Sequence, residues 1–354
     1  MTAPRRTPYR GGGAGDARTA VVALGGGHGL AATLLALRRL PTAITAVVTV
    51  ADDGGSSGRI RRELPVIPPG DLRMALAALA DSKEWTPGGP TWEALLQHRF
   101  GGTGALAGHA VGNLLITGLA ELAGDMVSAL DMLGRLAGAA GRVLPMSAVP
   151  LEILADVAGI GEDPASVRRI RGQVAVAATP GRVLTVALAP AQPPACPDAV
   201  TAVRDADVVV LGPGSWFTSV LPHLLVPDLA AAIAATSARR IVVLNLAPQP
   251  GETEGFSPEA HLHAMAAHAP WLRLDTVVAD VTTVTDRPAL QAAARELGAD
   301  LEMARVGVDD GTPRHDPARL AQTYARLFDA DRAERAGSTA GADASTIGRP
   351  ATWR

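Results

Sequence analysis

Short apolar runs alternate with longer helical patterns from Thr19 onward, and this order constrains the fold more than any other feature of the chain. Five runs are brief and almost wholly apolar, as strands covered on both faces should be: Ala20–Leu24, Ile44–Val50, Val208–Leu211, Ile241–Leu244 and Thr276–Ala279. Strands and helices in alternation indicate βαβ units around a parallel sheet. We therefore predict an α/β fold with a mainly parallel sheet and helices on both faces.

The helical patterns and the chain ends define the rest of the organisation. Between about residues 147 and 190 the pattern changes to short strand-like pieces, including Val174–Ala178 and Val183–Ala189, which predicts a small β-rich insertion. Residues 1–18 are predicted to be a disordered leader and residues 334–354 a disordered tail, leaving 19–333 as a single α/β domain. Eight segments have helical periodicity: Ala31–Leu40, Leu72–Ala80, Val111–Ala123, Val127–Gly134, Leu224–Thr236, Pro258–Ala267, Ala289–Leu297 and Pro317–Ala330.

Charge and composition exclude several classes of function. The net charge of −3 provides no overall field that would attract nucleic acid or a membrane surface. No run of about 18 uninterrupted apolar residues is present, so no membrane span is expected. Cys196 is the single cysteine, which excludes an intrachain disulfide and fits a reducing compartment. These observations predict a cytoplasmic protein that binds a small ligand.

The loop after the first strand is a candidate phosphate site. Ligands of open parallel sheets bind outside the carboxyl ends of the strands. Glycines allow the backbone to approach an anion, and the start of a helix favours a phosphate. The match to the dinucleotide fingerprint is partial because Leu30 stands at the third glycine, and a turn used only for packing is the alternative. The candidate residues are Gly25, Gly26, Gly27, His28 and Gly29.

The loop after the second strand combines carboxylates, glycines and hydroxyls. Asp52 and Asp53 are candidate ligands of Mg²⁺, or one of them could accept hydrogen bonds from a ribose. A simple Asp-Gly turn is the competing interpretation, although it does not explain the length of the run. No cofactor is firmly indicated beyond this candidate Mg²⁺. The candidate binding residues are Asp52, Asp53, Gly55, Ser56 and Ser57.

Two further motifs place charged and polar side chains at predicted helix starts. Asp71 could cap its own helix, while Arg73, one turn in, could pair with a phosphate. His109 and Asn113 stand at the head of an otherwise apolar helix and need partners. A base or sugar could supply those partners, and so could neighbouring loops.

The loops after two later strands repeat the pattern of glycines followed by polar side chains. Four such loops at one edge of a sheet are hard to explain by packing alone, and they predict a composite pocket for a sizeable polar ligand. The candidate residues in these two loops are Gly212, Gly214, Ser215, Thr218, Ser219, Asn245, Gln249, Glu252 and Thr253.

Taken in order, these motifs resemble the YvcK-like gluconeogenesis factors, which belong to the superfamily of the 2-phospho-L-lactate transferases. The chain departs from the family at His28, where threonine is common, and at Trp216-Phe217, where a smaller apolar residue and tyrosine are usual. Arg314 lies in a segment similar to the family's closing motif and is carried over as a ligand contact. The matching segments are Gly25–Leu30, Thr49–Gly58, Pro68–Arg73, Gly108–Leu115, Leu211–Pro222 and Pro248–Thr253.

The resemblance implies a Rossmann-like fold, cytoplasmic residence and binding of UDP-sugars such as UDP-N-acetylglucosamine or UDP-glucose. It further implies a role in cell shape and in the supply of peptidoglycan precursors during gluconeogenic growth. We expect a regulatory binding protein without catalytic residues, acting on cell-wall synthesis proteins and forming a homo-oligomer. The alternative is a Mg²⁺-dependent transferase that moves a phospho-lactyl group to a deazaflavin or similar hydroxyl acceptor. An NAD-linked dehydrogenase is a third, weaker hypothesis.

Overall fold

The computed structural model describes residues 18–160 and 166–344, except for the side chains of 333–344. Seven of its strands form one parallel sheet in the order β10-β9-β8-β7-β1-β2-β3. The mainly parallel α/β fold is thus confirmed. The strands of the described residues are β1 (Thr19–Gly25), β2 (Thr42–Val48), β3 (Gly141–Pro145), β4 (Glu152–Ala158), β5 (Val167–Arg171), β6 (Arg182–Ala189), β7 (Val208–Leu211), β8 (Arg239–Val243), β9 (Thr276–Asp280) and β10 (Asp300–Ala304).

The helices pack around this sheet and follow its strands. Helix α12 continues to Ala344, past residue 334 where the sequence predicted a disordered tail, while residues 1–17 and 345–354 lie outside the described residues. The helices are α1 (Gly27–Leu37), α2 (Gly55–Glu63), α3 (Gly70–Leu79), α4 (Trp92–Gln97), α5 (Val111–Ala123), α6 (Met126–Leu136), α7 (Gln173–Ala177), α8 (Pro197–Arg204), α9 (Pro227–Ala235), α10 (Pro258–His268), α11 (Arg287–Glu296) and α12 (Pro317–Ala344).

The predicted β-rich insertion is a three-stranded antiparallel sheet in the order β5-β4-β6. One part of that prediction is wrong, because Val174–Ala178 was expected to be strand-like and instead falls largely within α7. Gly172 precedes α7 with φ +100°, a conformation that favours glycine and turns the chain out of β5. The backbone N–H of Val174 then donates to the carboxylate of Asp53, a partner far away in sequence.

The central strands form the core. Every residue of β7 and β9 is buried, and valine, alanine and leucine fill the interior in place of aromatic residues. The chain adds β2 and then β3 on one side of β1. It then crosses to the other side of β1, where β7, β8, β9 and β10 follow in order. This reversal of strand order creates a crevice between the carboxyl ends of β1 and β7, where open α/β sheets bind their ligands.

The described residues contain no single helix that is both long and apolar enough to cross a membrane. One pair of segments, Trp216–Leu225 and Pro227–Ala235, reaches the required length together but bends by 79°.

Candidate functional site

Four adjacent strands carry the four predicted loops at the same edge of the sheet. Strands β8, β7, β1 and β2 are consecutive neighbours and parallel, so their carboxyl ends lie side by side. The structure therefore brings together the loops that the sequence singled out. We call this region the sheet-edge cleft, bounded by residues 25–29, 52–57, 212–219 and 245–253.

The glycine turn after β1 contains both an open face and a packing face. Gly27 has φ +57°, and a Cβ there would meet nothing within 4 Å, so the start of α1 is open at this point. Gly26 occupies the N-cap position without a capping side chain. Gly29, by contrast, lies directly against the carbonyl of Pro213, so a side chain there would collide with the loop after β7. His28 is exposed.

The acidic run after β2 leads into a helix that the sequence did not predict. Gly55, with φ +45°, begins α2, and a Cβ at this position would again meet nothing within 4 Å. Ser56 and Ser57 lie buried in the first turn. Two helices thus begin at the cleft with an open glycine, and free amides at helix starts favour anions.

Asp52 and Asp53 bond to different parts of the chain. One oxygen of Asp53 accepts from the Val174 N–H at 3.0 Å, whereas Asp52 accepts from the Gly54 N–H at 2.9 Å. The other oxygen of Asp52 lies against Gly70, at the start of α3. Within residues 18–160 and 166–344, no group of three or more His, Cys, Asp or Glu is arranged to hold a metal ion. The pairing of these two carboxylates around Mg²⁺ stays a prediction.

Asp71 does not cap its own helix. Pro69 occupies the N-cap position of α3, and the Asp71 carboxylate instead accepts a hydrogen bond from the Gly27 N–H at the start of α1. Burial and then the nearby Asp52 raise the pKa of Asp71 to about 7, against the opposing effects of Gly27 and Arg73. Its Oδ2 atom is buried and has no hydrogen-bond partner. An acidic group that titrates near neutrality therefore faces the glycine turn.

Arg73 lies two residues after Asp71, in the first turn of α3, and is 4% exposed. Its guanidinium donates to the side chain of Gln97, but its Nε atom is buried without a partner. Burial, followed by the charge of Arg99, lowers the pKa of Arg73, while Asp71 and Asp52 act in the opposite direction.

His109 and Asn113 find a partner in Ser56. The Ser56 hydroxyl lies 3.0 Å from Nδ1 of His109, and Nδ2 of Asn113 donates to the same hydroxyl at 3.0 Å. Burial, and then Arg59, lowers the pKa of His109, which favours the neutral ring that can accept from Ser56. Oδ1 of Asn113 is buried without a partner. The sequence did not reveal this serine–histidine contact, because the two residues belong to separate motifs.

The turn after β7 is filled by a carboxylate of the chain itself. Glu252 accepts from the Phe217 N–H at 3.0 Å and from the Ser215 hydroxyl, which also contacts Thr218. Burial raises the pKa of Glu252, opposed by these hydrogen bonds. The predicted ligand residues Ser215, Thr218 and Glu252 thus bond to one another. Trp216, next to them, is fully buried.

Other predicted residues hold the loops in place. The Asn245 amide accepts from the Gly214 N–H at 2.9 Å and donates to the Gly214 carbonyl at 2.8 Å. Thr253 accepts from the Gln249 N–H at 2.8 Å, while Oε1 of Gln249 is buried without a partner.

The remaining predicted residues have packing or surface positions. The Gly212 carbonyl accepts from Thr33 at 3.2 Å, and Gly26 leaves room for the Ser219 hydroxyl. Arg314 is exposed and forms an ion pair with Asp310 in its own loop.

A recess of about 710 Å³ lies elsewhere, between α6, α8 and the edge strand β3. Its central cation, Arg142, contacts Asp131 at 2.7 Å and Asp198 at 2.6 Å. Because these charges satisfy one another, the recess offers less to a polar ligand than the sheet-edge cleft does.

The fold and the cleft define a Rossmann-like α/β protein in which helices begin with a glycine after two adjacent strands, β1 at the switch point of the sheet and β2 beside it. Residues 21–311 match the 2-phospho-L-lactate transferase CofD family, and the chain belongs to this family. It is 59% identical over 304 residues to a protein of Mycobacterium tuberculosis (strain ATCC 25618 / H37Rv) named "Putative gluconeogenesis factor", covering 85% of this chain and 88% of that relative.

More distant relatives agree with this assignment. The "Gluconeogenesis factor" of Bacillus subtilis (strain 168) is 35% identical over 285 residues, covering 80% of this chain and 86% of that protein. The crystal structure of a UPF0052 family member from Bacillus halodurans superimposes with a TM-score of 0.77 at 33% identity, covering 87% of this chain and 99% of that one. The resemblance to the YvcK-like family is confirmed.

Proposed function

We propose that the protein binds a UDP-sugar, such as UDP-N-acetylglucosamine or UDP-glucose, in the sheet-edge cleft. One observation carries the proposal. Seven buried side-chain atoms of the described residues have no hydrogen-bond partner, and four of them belong to predicted ligand residues. Buried polar groups without partners are rare and costly, so a polar ligand that pairs with them would stabilise the cleft. These four atoms are Asp71 Oδ2, Arg73 Nε, Asn113 Oδ1 and Gln249 Oε1.

In this proposal the pyrophosphate lies at the helix starts, in the open space beside Gly27 and Gly55, and the base and sugar contact the amide side chains. Occupancy of the cleft reports the supply of nucleotide sugars, and the protein acts on cell-wall synthesis proteins to maintain cell shape during gluconeogenic growth. The names of the relatives support the link to gluconeogenesis. We further propose that the protein works in the cytoplasm as a homo-oligomer.

Isothermal titration calorimetry of the full chain tests the binding proposal. We expect UDP-N-acetylglucosamine or UDP-glucose to bind with a dissociation constant below about 1 mM, which corresponds to about −4 kcal/mol. NAD serves as the control nucleotide and should bind more weakly. No measurable heat with either UDP-sugar up to about millimolar concentration would overturn the proposal.

A second candidate function is a Mg²⁺-dependent transfer of a phospho-lactyl group, favoured by the family match and by the Ser56–His109 contact. The acceptor oxygen would bond to the transferred phosphorus, the bond to the leaving nucleotide phosphate would break, and the acceptor proton would pass to a base such as His109. The unpartnered Oδ2 of Asp71 beside Asp52 is a hard oxygen donor that fits Mg²⁺. Asp52 and Asp71 would hold the ion, which would stabilise charge on the leaving phosphate.

Mass spectrometry of reactions with a phospho-lactyl nucleotide, a deazaflavin acceptor and Mg²⁺ tests this candidate. Product that requires Mg²⁺ and is lost in Asp71→Asn would support the transferase. If no product forms but a UDP-sugar binds, the transferase candidate is excluded and the regulatory function is supported.

A further inference from the structure

Helix α7 of the small antiparallel sheet lies across the cleft. Its Val174 N–H bonds to Asp53 after β2, and Gly251, after β8, lies directly against the Ala177 carbonyl at its other end. Strand β6 is also tied to helix α10, because His268 accepts from the Val186 N–H at 3.0 Å. The insertion therefore bridges loops on both sides of the crevice between β1 and β7.

Gln173, the first residue of α7, carries a buried Oε1 atom without a hydrogen-bond partner. Gln249, on the opposite loop and two residues before Gly251, carries a second such oxygen. Amide oxygens accept hydrogen bonds, whereas the first turns of α1 and α2 present backbone N–H groups, of which that of Gly27 donates to Asp71. Two buried acceptors without a partner thus belong to α7 and to the loop that packs against its C-terminal end.

We propose that α7 closes the cleft over its ligand and that Gln173 is a specificity-determining residue which accepts a hydrogen bond from an N–H group of that ligand. The proposal rests on UDP-sugar binding in the sheet-edge cleft. Two groups of such a ligand have this chemistry: the imide N–H of the uracil base and the acetamido N–H of an N-acetylated sugar. The phosphates then lie toward Gly27, and the group that Gln173 recognises lies at the other end.

The test compares wild-type protein with Gln173→Met, which keeps the length of the side chain and removes the acceptor. UDP-N-acetylglucosamine, UDP-glucose and UDP are titrated by calorimetry into both proteins. We expect Gln173→Met to lose about tenfold in affinity, the range for one hydrogen bond whose donor is left unpaired. A loss with all three ligands assigns the contact to uracil, and a loss with UDP-N-acetylglucosamine alone assigns it to the acetamido group.

Thermal unfolding without ligand separates recognition from a structural role. Because the Gln173 oxygen has no partner, Gln173→Met should unfold at the same temperature as wild type or higher. Ala175→Ser, an exposed change on the same helix, is the matched control and should bind like wild type.

Affinity unchanged within about twofold in Gln173→Met would overturn this inference while leaving UDP-sugar binding intact. A lower unfolding temperature in Gln173→Met, or an equal loss in Ala175→Ser, would also overturn it. Wild-type protein that binds none of the three ligands would defeat the proposed function and this inference together.

Discussion

At the scale of single residues, Gly27 is the sharpest test of the glycine turn. In Gly27→Ala the methyl group enters open space, and the positive φ costs about 1–2 kcal/mol. The protein should still fold, but the methyl group would enter the space proposed to hold the phosphates. We expect UDP-sugar affinity to fall by at least about tenfold in calorimetry. Gly124→Ala, with φ +79° and equally open surroundings at the end of α5, should bind normally; equal affinities of the two variants would contradict the assignment.

Asp71 predicts a pH dependence of ligand binding. Its pKa of about 7 means that the carboxyl is neutral below this pH and can donate to a phosphate oxygen, whereas above it the carboxylate repels the phosphate. Without divalent cations, affinity for UDP-N-acetylglucosamine should therefore fall as pH rises from about 6 to about 8. Asp71→Asn should remove this dependence in the same titrations. A variant that retains the full pH dependence would show that another group is responsible.

At the scale of elements, the position of α7 depends on Gly251. In Gly251→Ala the new Cβ would collide with the Ala177 carbonyl, so α7 must move away from the β8 loop. We expect faster amide hydrogen exchange across residues 173–177 and weaker UDP-sugar binding.

Gly255→Ala is the matched control for this change. Gly255 has φ +76°, close to the +74° of Gly251, but a Cβ there would meet nothing within 4 Å. It imposes the same backbone strain without moving α7. If the amide hydrogens of residues 173–177 exchange at the same rate in both variants, the contact between Gly251 and α7 does not hold the helix in place.

At the scale of the whole molecule, buried histidines predict sensitivity to acid. Burial lowers the pKa of His223 and of His315 to about 4 from the ordinary 6.5. Between about pH 4 and pH 6.5 the unfolded chain therefore binds more protons than the folded protein does. The stability that the two neutral, buried histidines contribute is complete above about pH 6.5 and is lost as the pH falls toward 4. Asp71 has a raised pKa, so its contribution to stability is instead lost as the pH rises from about 4 to about 7.

Urea denaturation of wild type and of His223→Gln, each at about pH 7 and about pH 5, tests this prediction. The quantity compared is the free energy of unfolding that each protein loses between the two pH values. The glutamine amide can still donate to the Val47 carbonyl, which His223 contacts at 3.0 Å. The variant should lose less stability on acidification than wild type does. Equal losses would mean that His223 does not contribute to the acid response.

Local patterns predicted the buried strands well and the exposed elements poorly. Strand β7 has the predicted bounds because its four residues are apolar throughout. Strands β3 and β10 were not predicted, because they mix polar and apolar residues. Both lie at an edge of the sheet. Val174–Ala178 has the composition of a strand, but Gly172 and the distant Asp53 make it part of a helix.

The sequence by itself determined the parallel sheet, its family and the loops at its edge, because strand periodicity and glycine turns are encoded within a few neighbouring residues. Only the tertiary structure decided how each predicted side chain is used. Glu252 bonds to Ser215, 37 residues away, and Asp71 faces Gly27 instead of capping its own helix. Burial and distant charges set pKa values and hydrogen-bond partners, and both arise only when separate segments of the chain pack together.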